Sequence, residues 1–184
     1  LHPHTQIIAT PIVPQEVRQS LQLAKAYYER KERCLFCDVM LAEIHSGDRI
    51  VEKDDAYVVW APYASRFPFE LVIYPRVHTP DFTSLDDGQR WGLARILQRT
   101  LKRLIGLLGD IPYNFVLKTT PNPIPRPGKP GYWSTLAYDY HWRIAVLPRL
   151  TRVAGFEWGT GFYINPMPPE QAATYLRDVE IPES

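Results

Sequence analysis

A chain of 184 residues is long enough for one large domain or two small ones, and for a sizeable buried core. Its 21 Lys and Arg are matched by 20 Asp and Glu, so a net charge of +1 gives no electrostatic basis for nucleic acid or an acidic membrane surface as the main partner. With 45% hydrophobic residues and no apolar run near the ~20 residues of a membrane span, the composition is that of a soluble globular protein. The 18 prolines flank apolar runs and read as strand and loop punctuation.

The chain opens Leu1-His2-Pro3-His4, with no initiator Met, basic n-region or apolar h-region, and these residues are not a signal peptide. Residues 6–10 read as a strand closed by Pro11 and Pro14. A strand so near an end needs neighbours, so the chain is expected to be the C-terminal part of a longer protein. Val17, Leu21, Ala24 and Tyr28 then fall at helical spacing, in a helix reaching about Arg33 and delivering Cys34-Leu35-Phe36-Cys37. A short helix follows through Met40, Leu41 and Ile44 and ends at Gly47. Ile50-Val51, Tyr57–Trp60 and Phe69–Tyr74 read as strands. The clearest helix has Ser84-Leu85-Asp86-Asp87 as cap and early acids, an apolar face from Trp91 to Ile105, and a stop at Gly109. Tyr113–Lys118 is a strand. Residues 120–131 hold five prolines and two glycines and read as a loop. His141–Leu147 is a further strand, Phe156–Ile164 a loop with short extended pieces, and Pro168-Pro169-Glu170 opens a last helix to about Arg177. This order predicts an α+β fold with a mostly antiparallel sheet.

The only cysteines, Cys34 and Cys37, cannot frame a secreted disulfide scaffold. Two thiolates at C-x-x-C spacing form half of a tetrahedral zinc site, whose other half needs two more N or S ligands. His78 follows a strand end and His141 begins an apolar strand, so both are placed to reach the turn; His45, on a surface helix, is the weakest candidate. The competing reading is a redox dithiol, but no βαβ unit surrounds the pair.

Alternation along a strand would put His2, His4 and Gln6 on one face. An imidazole supplies a neutral nitrogen nucleophile, and an amide donates to an anionic oxygen without adding a competing base. A stray terminal pair of histidines is the plain alternative. Glu70 reads as solvent-facing. Arg76 and Arg143 have forks suited to phosphate, with a solvated or structural role as the default. Gly155-Phe156-Glu157-Trp158-Gly159-Thr160-Gly161 is not a dinucleotide-binding fingerprint, but its glycines let backbone approach a flat or phosphorylated ligand.

Together these segments resemble the galactose-1-phosphate uridylyltransferase family, a branch of the histidine-triad superfamily. His2-Pro3-His4-Thr5-Gln6 matches the family's active-site signature. Ala61–Glu70 with Tyr74–His78 looks like the start of its second half, and Phe156–Arg177 looks like its C-terminus. The resemblance implies a histidine-triad-like α+β fold. Residues 1–30 would close a first half and 31–184 form a second. It implies a nucleotidyltransferase moving a nucleoside monophosphate between a nucleotide sugar and a hexose 1-phosphate, as in UDP-glucose–hexose-1-phosphate uridylyltransfer in galactose metabolism. An ADP-glucose phosphorylase, or an inactive zinc-stabilised binding module, is the alternative. His4 would be the nucleophile and Gln6 the amide that stabilises its covalent intermediate. His2 would ligate one zinc, and Cys34, Cys37, His78 and His141 a second. Trp158, Thr160 and Gly161 would contact substrate. Where some members place a Tyr-Glu pair, this chain has Thr160-Gly161. In His141-Trp142-Arg143, Trp-Arg stands where Pro3-His4 follows His2. The expected partners are a nucleotide sugar, a sugar 1-phosphate and a second copy of the chain, in the cytoplasm, with neither nucleic acid nor membrane.

Overall fold

The computed structural model describes residues 4–8, 11–122, 128 and 133–181. Their centre is a five-stranded sheet in the order β1-β2-β3-β5-β4, with every neighbouring pair antiparallel. The strands are β1 (Ile50–Lys53), β2 (Tyr57–Trp60), β3 (Leu71–Pro75), β4 (Tyr113–Lys118) and β5 (Arg143–Pro148). The helices are α1 (Gln15–Lys31), α2 (Leu35–Ser46), α3 (Asp87–Leu108), α4 (Leu136–Asp139), α5 (Gly155–Thr160) and α6 (Pro169–Arg177). The α+β, mostly antiparallel expectation holds.

Strand alternation divides the core between the two faces of the sheet. Tyr57, Val59, Leu71, Ile73, Trp142, Ile144 and Val146 pack with Leu93, Ile96 and Leu104 of α3 and Ala172, Ala173 and Leu176 of α6. On the opposite face Val58, Trp60, Val72, Tyr74 and Ala145 pack against Met40 of α2, with Phe36 and Ile44 beside them. Thus α2 lies against one face, while α3 and α6 cover the other.

Local chemistry sets the helix ends. The α3 cap is Asp86, since Ser84 belongs to a preceding 3-10 turn, Phe82–Ser84. Asp86 Oδ1 accepts from Gln89 N at 2.8 Å and Gln89 Oε1 from Asp86 N at 2.9 Å, a reciprocal capping box. Toward the other end of α3, Arg103 Nη1 donates to the carbonyls of Leu176, Arg177 and Val179, at 3.0, 3.1 and 2.9 Å, closing the C-terminus of α6.

Several expectations are corrected. The described residues 4–8 are exposed and carry no strand pairing; residues 9–10 lie outside the described set. Among the described residues β1 and β4 form the edges of the sheet. Phe156–Ile164 is not a loop at its start, as Gly155–Thr160 is helical. Glu157 Oε2 accepts from Ala154 N at 2.6 Å, and Gly161 closes the helix at φ 75°. Strand β3 begins at Leu71 rather than Phe69, because Phe69 takes a left-handed conformation at φ 60°. The next residue, Glu70, is buried rather than solvent-facing, and accepts from Arg66 N at 2.7 Å.

Candidate metal centre

The C-x-x-C pair straddles a helix start. Cys34 is the N-cap residue of α2 and Cys37 lies in its first turn, which places both sulfurs at one end of the helix. His78 follows β3 by three residues and His141 precedes β5 by two. Trp142 N donates to Thr79 O at 3.1 Å, so the chain just after one histidine is bonded to the chain just after the other. Their rings meet edge to face at 5.4 Å.

These segments bring Cys34, Cys37, His78 and His141 together, with one potential ligand atom each and all four atoms within 4.8 Å of one another. Cys37 Sγ lies 3.2 Å from His78 Nδ1 and 3.3 Å from His141 Nδ1. A tetrahedral zinc with Zn–S near 2.3 Å and Zn–N near 2.05 Å separates a sulfur from a nitrogen ligand by about 3.5 Å. Donor type, number and the two sulfur–nitrogen distances fit a four-coordinate metal.

The electrostatics treat the two sulfurs oppositely. The hydrogen bond from Cys37, then those from His141 and His78, holds the Cys34 thiol well below its ordinary pKa against the opposing effect of burial. Cys37 is raised, because it bonds the Cys34 thiolate and is itself buried. His78 is raised by the same Cys34 sulfur, with the Ala137 carbonyl adding to the effect and burial opposing it. A lowered pKa eases the loss of the proton that a metal must displace from a sulfur ligand, and Cys37 and His78 would each have to give up a proton as a metal binds.

Helix α4 completes the surroundings. Cys34 Sγ donates to Asp139 O at 3.3 Å, and His78 Nε2 bonds Ala137 O at 3.0 Å. A carbonyl on the far ring nitrogen fixes the tautomer that leaves Nδ1 free for a metal. Tyr74 packs edge-on to His141 at 5.4 Å, its phenol pushed up to about 12 by burial. His141 Nε2, Trp142 Nε1 and Asp139 Oδ1 are buried without a hydrogen-bond partner among the described residues.

The other candidates lie elsewhere. His2 is outside the described residues, and His4 and Gln6 are exposed in the N-terminal segment. His45 is exposed in the last turn of α2 and takes no part in the group. Trp158 is 80% exposed on α5. Thr160 Oγ1 donates to Phe156 O at 2.7 Å and accepts from Phe162 N at 3.2 Å, so its hydroxyl shapes the helix end. Arg76 donates to Asp54 O at 2.8 Å, and Arg143 is buried; both take the structural option. The part played by α4 had no sequence signal, because four residues show no period.

Residues 20–180 match the family model of the galactose-1-phosphate uridyl transferase C-terminal domain. The chain belongs to this family. Among its relatives, an ADP-glucose phosphorylase of Arabidopsis thaliana is 35% identical over 98% of this chain and 48% of its own length. A galactose-1-phosphate uridylyltransferase of Thermotoga maritima is 26% identical over 98% of this chain and 55% of its own. The crystal structure of an Arabidopsis thaliana ADP-glucose phosphorylase with bound ADP-glucose superposes with a TM-score of 0.79 at 31% identity, covering 94% of this chain and 52% of that one. A zinc-bound histidine triad family protein of Mycobacterium smegmatis, at 17% identity and a TM-score of 0.51, shares the fold. The chain spans about half the length of the curated relatives it matches. No described helix is long and apolar enough to cross a membrane.

Proposed function

We propose that this chain serves nucleotidyl transfer from a nucleotide sugar, through a covalent nucleotidyl-histidine at His4. The observation that carries the reading is the family match over residues 20–180. The His4-Thr5-Gln6 segment just ahead of it has the residue types the chemistry needs. A neutral His4 ring nitrogen attacks the α-phosphorus and forms a P–N bond. The bond from that phosphorus to the oxygen of the sugar 1-phosphate breaks, and the sugar 1-phosphate leaves with the electron pair. An acceptor oxygen then attacks the same phosphorus and displaces His4. Gln6 donates its amide hydrogen to the phosphoryl oxygens as charge builds there. Two displacements in sequence give ping-pong kinetics.

For donor and acceptor, the 35% identity to an ADP-glucose phosphorylase, against 26% to the Thermotoga uridylyltransferase, favours ADP-glucose and phosphate. Uridylyl transfer between UDP-glucose and a hexose 1-phosphate is the second reading, favoured by the family model itself. Trp158, Thr160 and Gly161 are proposed contacts for the sugar phosphate. Cys34, Cys37, His78 and His141 are proposed to hold a structural zinc, because four protein ligands leave no open position for chemistry. His2 is proposed as a ligand of a separate zinc. A homodimer in the reducing cytoplasm suits the thiol ligands.

Intact-mass spectrometry of the whole protein after incubation with ADP-glucose or UDP-glucose tests the reading. A nucleotidyl adduct from one donor, abolished in His4→Ala with zinc still bound, is expected. An active enzyme without any adduct, or an adduct that survives His4→Ala, defeats it.

A further inference from the structure

Arg143 stands two residues beyond His141 and is 8% exposed. Alternation along the strand puts both side chains on the α2 face of the sheet, with Trp142 on the other. Among the described residues Arg143 forms no ion pair with a carboxylate. A guanidinium withdrawn from water without a counter-ion is costly, so its place needs a reason.

Its contacts supply one. The guanidinium carbon lies 4.3 Å from the centre of the Phe36 ring, with Tyr140 and Tyr74 at 5.7 and 5.8 Å. Phe36 sits inside Cys34-Leu35-Phe36-Cys37, between the two sulfur ligands, and also meets Tyr140 edge-on at 5.6 Å. Arg143 Nη1 donates to His141 O at 3.2 Å, and Nη2 to Ser20 Oγ of α1 at 3.3 Å. One planar group is therefore stacked on the cysteine turn and hydrogen-bonded to the backbone of a histidine ligand. Among the described residues no backbone hydrogen bond joins α2 to β5.

We propose that Arg143 is a positioning residue for the Cys34–Cys37–His78–His141 centre, locking the cysteine turn against the His141 backbone through Phe36. The inference rests on the reading of that group as a zinc site. A lysine could keep the charge, but it has neither the flat face that stacks on Phe36 nor the fork that reaches two acceptors. The clamp therefore depends on arginine and not on a cation as such.

The test measures zinc affinity by competition with a chromophoric chelator, and the visible spectrum of the cobalt-substituted protein. It compares wild type, Arg143→Met, Arg143→Lys and Phe36→Leu, each also followed by thermal unfolding with metal bound. Both arginine variants are expected to bind zinc roughly 10- to 100-fold more weakly and to shift the cobalt spectrum, as loss of an outer-shell support does. Phe36→Leu is expected to do the same, and the Phe36→Leu/Arg143→Met double variant to lose less than the sum of the two, since one clamp cannot be broken twice. Wild-type affinity and spectrum in Arg143→Met, with only a lower melting temperature, would assign the residue to packing and overturn the proposal. Rescue by Arg143→Lys would overturn it in favour of charge alone. If Arg143→Met does not fold, unchanged zinc binding in Phe36→Leu overturns it instead. A wild-type protein that takes up no zinc defeats the zinc reading itself, whichever way the variants behave.

Discussion

Cys37 Sγ lies 3.2 Å from His78 Nδ1, across 41 residues of chain. The contact joins the start of α2 to the end of β3, and His141 adds the start of β5 at 3.3 Å. A metal held there would tie α2 to the paired strands β3 and β5, so its binding is coupled to the stability of the fold.

Metal content follows directly. The purified protein is expected to carry about one zinc per chain at this site, and Cys37→Ser to lose it, because a hydroxyl is a poor replacement for a thiolate ligand. Elemental analysis of both proteins is the check. Wild-type zinc in the serine variant would mean the four-residue assignment is wrong. Stripping the metal with a chelator is expected to lower the unfolding temperature of the wild type and to leave that of Cys37→Ser nearly unchanged.

Gly161 separates backbone from ligand effects. Its φ of 75° is left-handed, and a Cβ built there meets nothing within 4 Å. Gly161→Val is therefore expected to cost about 1–2 kcal/mol through backbone strain alone. In the whole enzyme the same change is expected to raise the acceptor KM while nucleotide still labels His4. Gly161→Asn, which tolerates this conformation, is expected to recover most of the stability. Unchanged acceptor kinetics in the valine variant would place the turn away from substrate.

The α3 capping box has a simple signature. Asp86→Ala removes the acceptor for Gln89 N and is expected to cost about 1 kcal/mol. Urea unfolding of the metal-loaded protein measures it, with a shifted midpoint and an unchanged slope as the expected pattern.

Arg103 does more than cap α6. Its Nε donates to Glu52 Oε2 at 3.2 Å, with the two side chains only 13% and 12% exposed. Arg103→Met would remove the guanidinium from three carbonyls at and just beyond the end of α6, of which Leu176 O keeps a backbone donor, and remove one of the two arginines beside Glu52. A loss of about 2–3 kcal/mol is expected. A loss under about 0.5 kcal/mol, the ordinary surface value, would mean water replaces the guanidinium at no net cost.

Reading the sequence succeeded where residue type left few choices. With two cysteines and five histidines in the chain, the candidate ligands were nearly determined, and His78 and His141 meet the cysteines as their positions at strand ends suggested. The long apolar period of Trp91 to Ile105 marked α3 for the same reason, and Gly109 does end it. Failures occurred where tertiary partners decide. Gly155 and Gly159 argue against a helix by propensity, yet Gly155–Thr160 is helical, because Glu157 and Gly161 secure its two ends. Glu70 looked exposed by alternation, but the left-handed Phe69 turns the chain just before it, and the carboxylate faces the Arg66 amide. The burial of Arg143 had no sequence signal, since it depends on three aromatic rings from separate parts of the chain.

The alternation of His141, Trp142 and Arg143 has a bearing on how β5 finds its place during folding. A slip of one residue would carry the imidazole and guanidinium into the aliphatic layer under α3 and turn the indole toward the sulfurs. Apolar contrast between the two faces helps to fix a strand's alignment, and β5 has little of it, because Ile144, Ala145 and Val146 are apolar on both sides. The tripeptide ahead of them supplies the missing asymmetry. It acts as an alignment key, in which a misplaced pairing forfeits ligand, clamp and aromatic core at once.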